Sequence, residues 1–513
     1  MTGFVIGVDV GTTSAKAVVV DDSWRVRGEA REEYPTTYLP GNGAEQDPDD
    51  WWAASARCVA EALSRAGVAA RDVAAVGVSS QAPSVVLLDS GGTPLRPALI
   101  WMDRRGQAEC DARTAESARV VELTGNRPDP YYAAGKLAWL LRDDPSLAGR
   151  TRAVVMANGY VTYRLTGVLA TDTGHAGLTL LGDLDTAGWS DELIELWGVP
   201  PHWLSPLHAP TDVVGTVTAD AAAATGLAAG TPVIAGLVDG VAASLEAGVV
   251  AHGDVCEMTG QSTVVNAAVR TDVARRSTGA LSVMPYPVAG HHLVFGAMVA
   301  TGGILRWFRD EFGAGDGSSD GSGGGGSAGG DAFAALDELA GTAPPGAGGL
   351  VMLPYFLGER APIWDSDARG AVVGLSMSTS RADLVRAILE GTAYGLAHNL
   401  AELAELGLRP AALRIVGGGA RGRTWNQIKA DVTGLPVELP SHSRGSPVGT
   451  ALAAAAGVGL ATDLVEVVRD RCSIADRVEP DPARHADYQR RYRVYRDLYP
   501  ALRQTYAGLA ELR

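Results

Sequence analysis

The stretch that decides the fold is residues 4–20, FVIGVDVGTTSAKAVVV. The apolar runs Phe4–Val8 and Ala17–Val20 have the composition of β-strands, and the Gly-Thr-Thr-Ser sequence at 11–14 has that of a tight turn. The stretch therefore predicts two strands joined by a short polar turn.

The predicted turn carries groups suited to binding phosphate. Gly11 lets the backbone approach a phosphate closely, and backbone N–H groups with the hydroxyls of Thr12 and Thr13 can bind its oxygens. Asp9, at the end of the first strand, can hold Mg²⁺ directly or through water, and Lys16 adds a positive charge. The alternative interpretation is an ordinary hairpin with a polar tip.

The remainder of the first half alternates helix with strand. Asp49 or Asp50 can cap a helix from about Trp51 to about Gly67, and a strand follows at Val73–Val78. This alternation is typical of α/β architecture.

Near residue 254 the opening pattern returns. A strand at Val255–Met258, a Gly/Ser/Thr turn and a second strand at Thr263–Val269 are followed by further alternation of helix and strand. Two halves that open alike indicate a duplicated unit. The second turn adds three candidate phosphate contacts, Gly260, Gln261 and Ser262. A plain turn is the alternative, and the equivalent place of the first turn in the other half favours phosphate contact.

The bulk composition narrows the function classes. A chain of 513 residues suggests two or three domains. Its formal charge of −16, with no run of Lys and Arg, disfavours nucleic-acid and membrane partners and favours a small molecule. The four cysteines are far apart, which suits a reducing compartment. We predict neither a signal peptide nor an apolar membrane span, and therefore a cytoplasmic protein.

Two later segments stand out by composition. Residues 313–331 are rich in Gly and Ser and predict a flexible surface insertion within the second half. Residues 325–329 formally match the nucleophile elbow of hydrolases, but no predicted strand precedes them, so we discard that match. The stretch from Pro482, with Arg and Tyr at helical spacing, predicts a closing helix.

A third glycine-rich turn, Gly417–Gly422, follows a predicted strand and precedes a predicted helix. It satisfies G-x-G-x-x-G, with Glu438 at a plausible distance, so a dinucleotide-binding oxidoreductase is an alternative. That motif normally opens its domain, whereas this one lies late in the chain, and such a turn can equally pack against an adenosine. No GxxxxGK[ST] motif occurs, which disfavours a Walker-type ATPase.

Asp239 follows the apolar run 233–238 and begins a predicted helix. The helix N-terminus favours an ionised carboxylate, which can accept a proton from a hydroxyl that attacks phosphorus. Simple capping of the helix is the alternative. Among weaker candidates, Ser79–Gln81 can offer polar groups to a sugar, and Asp103 with Arg104 can face a ligand or form a surface ion pair. The nine histidines show no ligand spacing.

With these residues in hand, the chain resembles the FGGY carbohydrate kinases of the actin-like ATPase superfold, and among them the xylulokinases, over nearly its whole length. Asp9-x-Gly11-Thr12-Thr13 is similar to the phosphate-1 loop of that family. The other matching stretches are Glu45–Pro48 with Trp51-Trp52, Tyr131–Asp143 in part, and Gly370–Leu375 with Asp383-Leu384 and Ala387–Glu390.

The resemblance implies roles for individual residues. Asp239 would be the catalytic base and Asp9 the Mg²⁺-associated carboxylate. The residues implied at ATP are Gly11, Thr12, Thr13, Lys16, Gly260, Gln261, Ser262, Gly302, Gly418, Gly419 and Arg423. The residues implied at the sugar are Gln81, Ala82, Pro83, Asp103, Asp239 and Gly240.

The chain departs from the xylulokinase pattern at three places. Residues 81–84 read Gln-Ala-Pro-Ser where Gln-Met-His-Gly is common, and Asp239-Gly240 stands where Asp-Asn is common. Gln261 replaces a Thr in the phosphate-2 turn, which concerns ATP geometry. The first two changes would touch the sugar, so other pentuloses and gluconate join D-xylulose as candidate substrates, with D-xylulose first.

We therefore predict two actin-like, ribonuclease H-like α/β domains, residues 1–250 and 251–513, around a central cleft. The first would bind the sugar and phosphates and carry the base, and the second would bind the nucleotide. Closure on MgATP and sugar would exclude water from the reaction. The predicted activity is ATP-dependent phosphorylation of a sugar hydroxyl. The alternatives are a kinase for another ketose, a polyol or gluconate, and a non-catalytic regulator with the same fold. A homodimer is one open alternative for the assembly.

Overall fold

The structure is a computed structural model that describes residues 3–313, 328–441 and 444–512. The flexible insertion predicted at 313–331 lies largely outside the described residues. Its last four residues belong to a helix that begins at Ala328, so the predicted insertion extends too far at its C-terminal end.

The strands, in chain order, are β1 Phe4–Val10, β2 Ser14–Val20, β3 Val26–Glu33, β4 Thr37–Leu39, β5 Gly43–Gln46, β6 Val73–Ser80, β7 Val86–Leu88, β8 Ala98–Leu99, β9 Ala153–Val155, β10 Thr171–Asp172, β11 Leu207–His208, β12 Val213–Thr216, β13 Pro232–Ile234, β14 Leu237–Val238, β15 Val255–Thr259, β16 Thr263–Arg270, β17 Ser282–Pro285, β18 His291–Met298, β19 Val351–Leu353, β20 Ala371–Val373, β21 Leu413–Gly417, β22 Val437–Pro440 and β23 Ile474–Val478.

The α-helices are α1 Pro48–Ala66, α2 Gln107–Asp111, α3 Ser117–Thr124, α4 Ala133–Asp143, α5 Leu147–Arg150, α6 Ala157–Thr166, α7 Thr173–Gly177, α8 Asp191–Trp197, α9 Ala219–Thr225, α10 Asp239–Glu246, α11 Thr271–Ala274, α12 Gly302–Phe312, α13 Ala328–Thr342, α14 Arg381–Glu405, α15 Arg423–Thr433, α16 Ser446–Gly457, α17 Leu464–Arg471 and α18 Pro482–Glu511. The closing helix predicted from Pro482 is confirmed as α18.

The chain folds into two compact units that interleave along the sequence. The first comprises Met1–His252, Ala268–Val294 and Arg444–Cys472, and the second comprises Gly253–Ala267, Phe295–Ser443 and Ser473–Arg513. The predicted ranges 1–250 and 251–513 are each continuous in sequence, whereas the later segments Ala268–Val294 and Arg444–Cys472 pack with the first unit.

The first unit is built on a sheet with strand order β12-β13-β6-β1-β2-β3, and β14 also pairs with β6. Strands β1, β6 and β14 run parallel, with Asp9 opposite Ser79 and Val238 opposite Ser80. Parallel strands bring their carboxyl ends to one edge of the sheet, where ligands bind in open α/β folds. Asp9 and the start of α10 therefore lie at the same edge.

Helix α16, from the late segment, packs against β1 within the first unit. The approach is so close that a Cβ on Gly7 would lie 1.8 Å from the backbone oxygen of Pro447. Gly449 allows an equally close approach, since its Cβ would lie 1.8 Å from the backbone oxygen of Ala242 in α10. Glycine is therefore required at both positions.

The second unit repeats the arrangement of the first. Its strands run in the order β16-β15-β21-β22-β23, with β15 and β16 antiparallel and β15 and β21 parallel. Strands β1, β2 and β6 have the same relation. The predicted α/β class and the repeated strand–turn–strand opening are confirmed. Helix α14 lies in the core of this unit, where Tyr394 packs against Tyr488 and Tyr495 of α18. Over the described ranges, no helix combines the length and apolarity that crossing a membrane requires.

Candidate active site

Hydrogen bonds from the backbone and from two side chains hold the turn after β1 in place. Gly11 N donates to Ser14 O at 3.1 Å, and the hydroxyl of Tyr34 donates to Gly11 O. The oxygen of Thr12 accepts from Gln46 Nε2 at 2.7 Å. These bonds fix the turn as the predicted tight loop.

The same turn leaves donors available. Within the described part of the chain, the backbone amides of Thr12 and Thr13 donate to no protein acceptor. Thr12 Oγ1 accepts a hydrogen bond from Trp101 Nε1 at 3.0 Å, so its own proton remains free to donate. A cluster of oriented amides and hydroxyls of this kind suits an anion.

Asp9 is buried at the end of β1, with 4% of its surface exposed. Its Oδ1 accepts from Ser79 Oγ at 2.9 Å, and Lys16 lies opposite it across the β1–β2 hairpin. Burial raises the pKa of the Asp9 carboxyl, against the lowering effects of Lys16 and Ser79. The site therefore gains from any further positive charge placed beside Asp9.

Asp239 is the first residue of α10, and it is partly exposed. It does not cap the helix: Val238 occupies the capping position, and Asp239 Oδ1 accepts from Gly240 N at 2.6 Å. Burial and then the negative charge of Asp9 raise the pKa of Asp239 to about 7. The structure thus brings together the two carboxylates that the sequence singled out.

A buried Asp–His–Ser chain adjoins these carboxylates, and the sequence analysis missed it. His175 Nδ1 lies 2.5 Å from Asp172 Oδ2, and His175 Nε2 lies 3.1 Å from Ser80 Oγ. All three residues are buried, with no more than 1% of the Asp172 or His175 side chain exposed. The signal in the sequence was the Asp-x-x-His spacing, which places both side chains on one helical turn.

Residues 81–83 follow β6 directly. Gln81 is 1% exposed and its Nε2 donates to Gln46 Oε1 at 2.7 Å, while its Oε1 has no hydrogen-bond partner among the described residues. The oxygen of Ala82 accepts from the hydroxyl of Tyr131 at 2.9 Å, and the Ala82-Pro83 peptide is cis. The unpartnered carbonyl of Gln81 is a ready acceptor for a ligand donor.

Asp103 is wholly buried and has internal partners. Its Oδ2 accepts from Ala44 N and from Arg105 Nη2, at 2.9 and 2.6 Å. The neighbouring Arg104 bonds Asp129 instead. The suggested pairing of Asp103 with Arg104 at the surface is therefore wrong, and Asp103 as a sugar contact stays a prediction.

The predicted nucleotide residues of the second unit collect around the turn after β15. Gln261 O accepts from Thr301 N and Gly303 N at 3.1 and 3.0 Å. A Cβ on Gly302 would lie 2.2 Å from Gly260 O, and one on Gly419 would lie 2.6 Å from the Cβ of Thr259. Three separate segments therefore meet at this turn with their backbones in contact.

The remaining predicted nucleotide residues flank this cluster. Ser262 O accepts from Gly260 N at 2.8 Å, Gly418 opens the short 3₁₀ turn after β21, and Arg423 is the exposed first residue of α15. Glu438, the acid of the dinucleotide alternative, lies within ion-pair distance of Arg414 and Arg477.

The described residues do not form a cluster of three or more metal-binding side chains. Among residues 3–313, 328–441 and 444–512, no group of three or more His, Cys, Asp or Glu side chains is placed to hold a metal ion. Mg²⁺ needs no such cage, because it commonly binds one or two carboxylates, substrate phosphates and water.

The chain is similar in sequence to known proteins over most of its length. The sequence model described as the N-terminal domain of the FGGY family of carbohydrate kinases matches residues 4–245, and the model of the C-terminal domain matches residues 258–458. The chain is 28% identical to a xylulose kinase of Bacillus subtilis (strain 168), over 99% of each chain. It is 32% identical to a glycerol kinase of Aromatoleum aromaticum, over 90% of this chain and 92% of that one.

A solved structure extends the comparison to the fold. The crystal structure of xylulose kinase from Rhodospirillum rubrum superposes with a TM-score of 0.85 and 34% identity, covering 98% of this chain and 100% of that chain. The predicted actin-like architecture is confirmed by this match, and the dinucleotide alternative loses its basis. Because the two domain models together match most of its length, the chain belongs to the FGGY family of carbohydrate kinases.

Proposed function

We propose that this carbohydrate kinase transfers the γ-phosphoryl group of ATP to a hydroxyl of a small open-chain sugar, with Asp239 as the proton acceptor. The observation that carries the proposal is the meeting of two carboxylates at one sheet edge. Asp9 lies near the end of β1 and Asp239 follows β14, and both strands run parallel to β6, which lies between them. Burial and then the charge of Asp9 raise the pKa of Asp239. The donor-rich turn at Thr12 and Thr13 begins three residues beyond Asp9.

The reaction needs one proton acceptor. The sugar hydroxyl oxygen bonds to the γ-phosphorus while the bond from that phosphorus to the bridging oxygen breaks, releasing ADP. The hydroxyl proton passes to Asp239, which later returns it to solvent. With a pKa of about 7, Asp239 is partly ionised at neutral pH, close to the value at which a general base is most effective.

The residues present fit the Mg²⁺ ion that kinases of this family typically use. Asp9 Oδ1 accepts a hydrogen bond from Ser79 Oγ, and burial raises the pKa of the Asp9 carboxyl, so a positive charge beside it would stabilise its ionised form. Asp9 would hold the ion directly or through water. The ion would supply charge neutralisation for the phosphates. Lys16 and the Thr12–Thr13 amides would bind the same phosphates.

The second unit would hold the nucleotide. In the cluster of Gly260, Gln261, Gly302 and Gly419, the three glycines let the backbone approach a phosphate or an adenosine closely. We retain residues 1–250 and 251–513 as the proposed ranges of the two family domains.

Among substrates we propose D-xylulose first. Gln81 Oε1 is buried and has no protein partner among the described residues, so a hydroxyl of a bound sugar could supply the donor that it lacks. A polyhydroxylated ketose meets this need. Other ketoses, polyols and gluconate meet it as well, and the Ala82 and Gly240 departures keep them as alternatives.

The test is coupled ADP release over a panel of D-xylulose, other pentuloses, glycerol and gluconate. We expect sugar-dependent release that falls by about 10²–10⁴-fold in Asp239→Asn while nucleotide binding is retained. The matched control is Asp220→Asn, an exposed aspartate in α9 of the same unit, which should match wild type. Turnover by Asp239→Asn within a few-fold of wild type would contradict the proposed role. Nucleotide binding without ADP release from wild type would favour the non-catalytic regulator.

A further inference from the structure

One side chain, Gln46 at the end of β5, contacts both the turn after β1 and the residue that follows β6. It is buried, with 3% of its surface exposed. Its Nε2 donates to Thr12 O and to Thr36 Oγ1, both at 2.7 Å. Its Oε1 accepts from Trp51 Nε1 at 2.9 Å and from Gln81 Nε2 at 2.7 Å. A glutamine amide has two donor protons and two acceptor lone pairs, so these four bonds hold it in one orientation.

The orientation of the Gln46 amide follows from the chemistry of its neighbours. An indole N–H can only donate, so the atom of Gln46 that faces Trp51 must be the amide oxygen. A backbone carbonyl can only accept, so the atom that faces Thr12 O must be the amide nitrogen. Two independent partners therefore require the same orientation of this amide.

That orientation decides which end of the Gln81 amide meets Gln46. Because Gln46 presents its oxygen, the atom of Gln81 that lies 2.7 Å away must be the amide nitrogen. The carbonyl oxygen of Gln81 is then left on the other side of the amide, buried and with no hydrogen-bond partner among the described residues. With Gln46 reversed, Gln81 would turn its oxygen to Gln46 and offer a ligand its nitrogen instead.

We propose that Gln46 is a positioning residue, which holds Gln81 with its carbonyl oxygen ready to accept a hydroxyl of the sugar and holds the phosphate-binding turn through Thr12 O. The inference rests on the proposed function, in which Gln81 contacts the sugar and the turn binds the phosphates of ATP. Gln46 touches neither substrate and acts through its two neighbours. Trp51 fixes the direction of the Gln46 amide, so the stretch 45–52, which carries part of the family resemblance, has a role at the site.

The test is a double-mutant cycle in the coupled ADP-release assay with ATP and D-xylulose, or with gluconate or glycerol if the panel identifies one of these as the substrate. Gln46→Met keeps the length of the side chain and removes its hydrogen bonds, so the KM for the sugar should rise by about 3- to 10-fold. Gln81→Met should raise it by a similar factor. In the double variant the two factors should not multiply, because Gln46 acts on the sugar through Gln81.

The KM for ATP is the second readout. Gln46→Met removes the donor to Thr12 O, so the KM for ATP should also rise by about 3- to 10-fold. This factor should be the same whether residue 81 is Gln or Met, since the turn does not depend on Gln81 for that bond. The matched control is Gln107→Met, which removes an exposed bond to Asp111 in the same unit and should match wild type in both KM values.

A merely structural role of Gln46 predicts a different result. In that case the effects of Gln46→Met and Gln81→Met on the KM for the sugar multiply in the double variant, and this outcome overturns the inference alone. Unchanged KM values for both substrates in Gln46→Met overturn it as well. Absence of ADP release from wild type with every sugar of the panel overturns the proposed function and this inference together.

Should Gln46→Met not fold, a crystal structure of the wild-type protein with the same sugar bound decides the matter. Gln81 hydrogen-bonded to Gln46 on one side, with a sugar hydroxyl about 3 Å from its oxygen on the other, supports the inference. A sugar that makes no contact with Gln81, or a Gln81 amide turned away from Gln46, overturns it.

Discussion

Replacing the proposed base should make the protein more stable at the pH at which it works. Asp239 has a pKa of about 7 in the folded protein and an ordinary value of 3.8. The difference of about 3 units corresponds to about 4 kcal/mol at 1.36 kcal/mol per unit. Because Asp239 is only partly buried, we reduce this figure to about 2 kcal/mol.

The sign follows from proton linkage. Between pH 4 and 7 the folded protein holds the Asp239 proton more tightly than the unfolded chain does, so stability falls as the pH rises through this window. Above pH 7 the full destabilisation is present, and below pH 4 it disappears. Asp239→Asn removes the titrating group. The variant should therefore gain about 2 kcal/mol over wild type at pH 8 and much less at pH 4.5.

Urea unfolding with EDTA present, at pH 4.5 and pH 8, measures this difference without metal or nucleotide. A thermal scan of the first unit should show a midpoint raised by about 4 °C or more at pH 8. The exposed Asp220→Asn serves as control and should gain nothing at either pH. An Asp239→Asn variant that is less stable than wild type at pH 8, or equally stabilised at both pH values, would refute the reasoning.

The other predictions use the same unfolding assay. Asp9→Asn removes the negative charge of Asp9, which raises the pKa of Asp239. The free energy of unfolding should therefore fall less steeply with pH between pH 4 and 7 in this variant. An unchanged slope would contradict the electrostatic coupling of Asp9 to Asp239. Lys136 is buried and its pKa is lowered to about 7, so stability should rise by about 1 kcal/mol per pH unit between pH 7 and 10. Lys136→Met should remove most of this rise in stability. If the rise persists in the variant, another titrating group causes it. Gly449→Ala places a Cβ 1.8 Å from a backbone oxygen, so this variant should yield little folded protein. The control Gly149→Ala should be tolerated, because its Cβ would meet nothing within 4 Å in the described ranges. Equal yields of the two variants would refute the close-packing argument.

The elements that the sequence predicted correctly are those specified locally. The β1–β2 hairpin followed from two apolar runs and a Gly-Thr-Thr-Ser turn, and the structure has its strands at Phe4–Val10 and Ser14–Val20. The meeting of Asp9 and Asp239 was predictable as well, because both follow strands of one α/β unit and parallel strands end at a common edge.

What the sequence could not show depends on partners distant in the chain. The ring of His175 contacts Ser80, which lies 95 residues earlier and comes near it only in the folded chain. Asp103 accepts a hydrogen bond from the amide of Ala44, which lies 59 residues earlier, and its adjacency to Arg104 gave no sign of that contact. Neither partner choice leaves a periodic or compositional trace that a single sequence reveals.

The late segment that completes the first unit has a consequence for synthesis on the ribosome. Helix α16 begins at Ser446, about 200 residues after the end of α10, yet it covers the apolar strand β1. At about 5–20 residues per second, a nascent chain would leave this surface bare for about 10–40 s. A truncated gene product ending before α16 would never cover it, and would be a client for chaperones and proteases rather than an independent module.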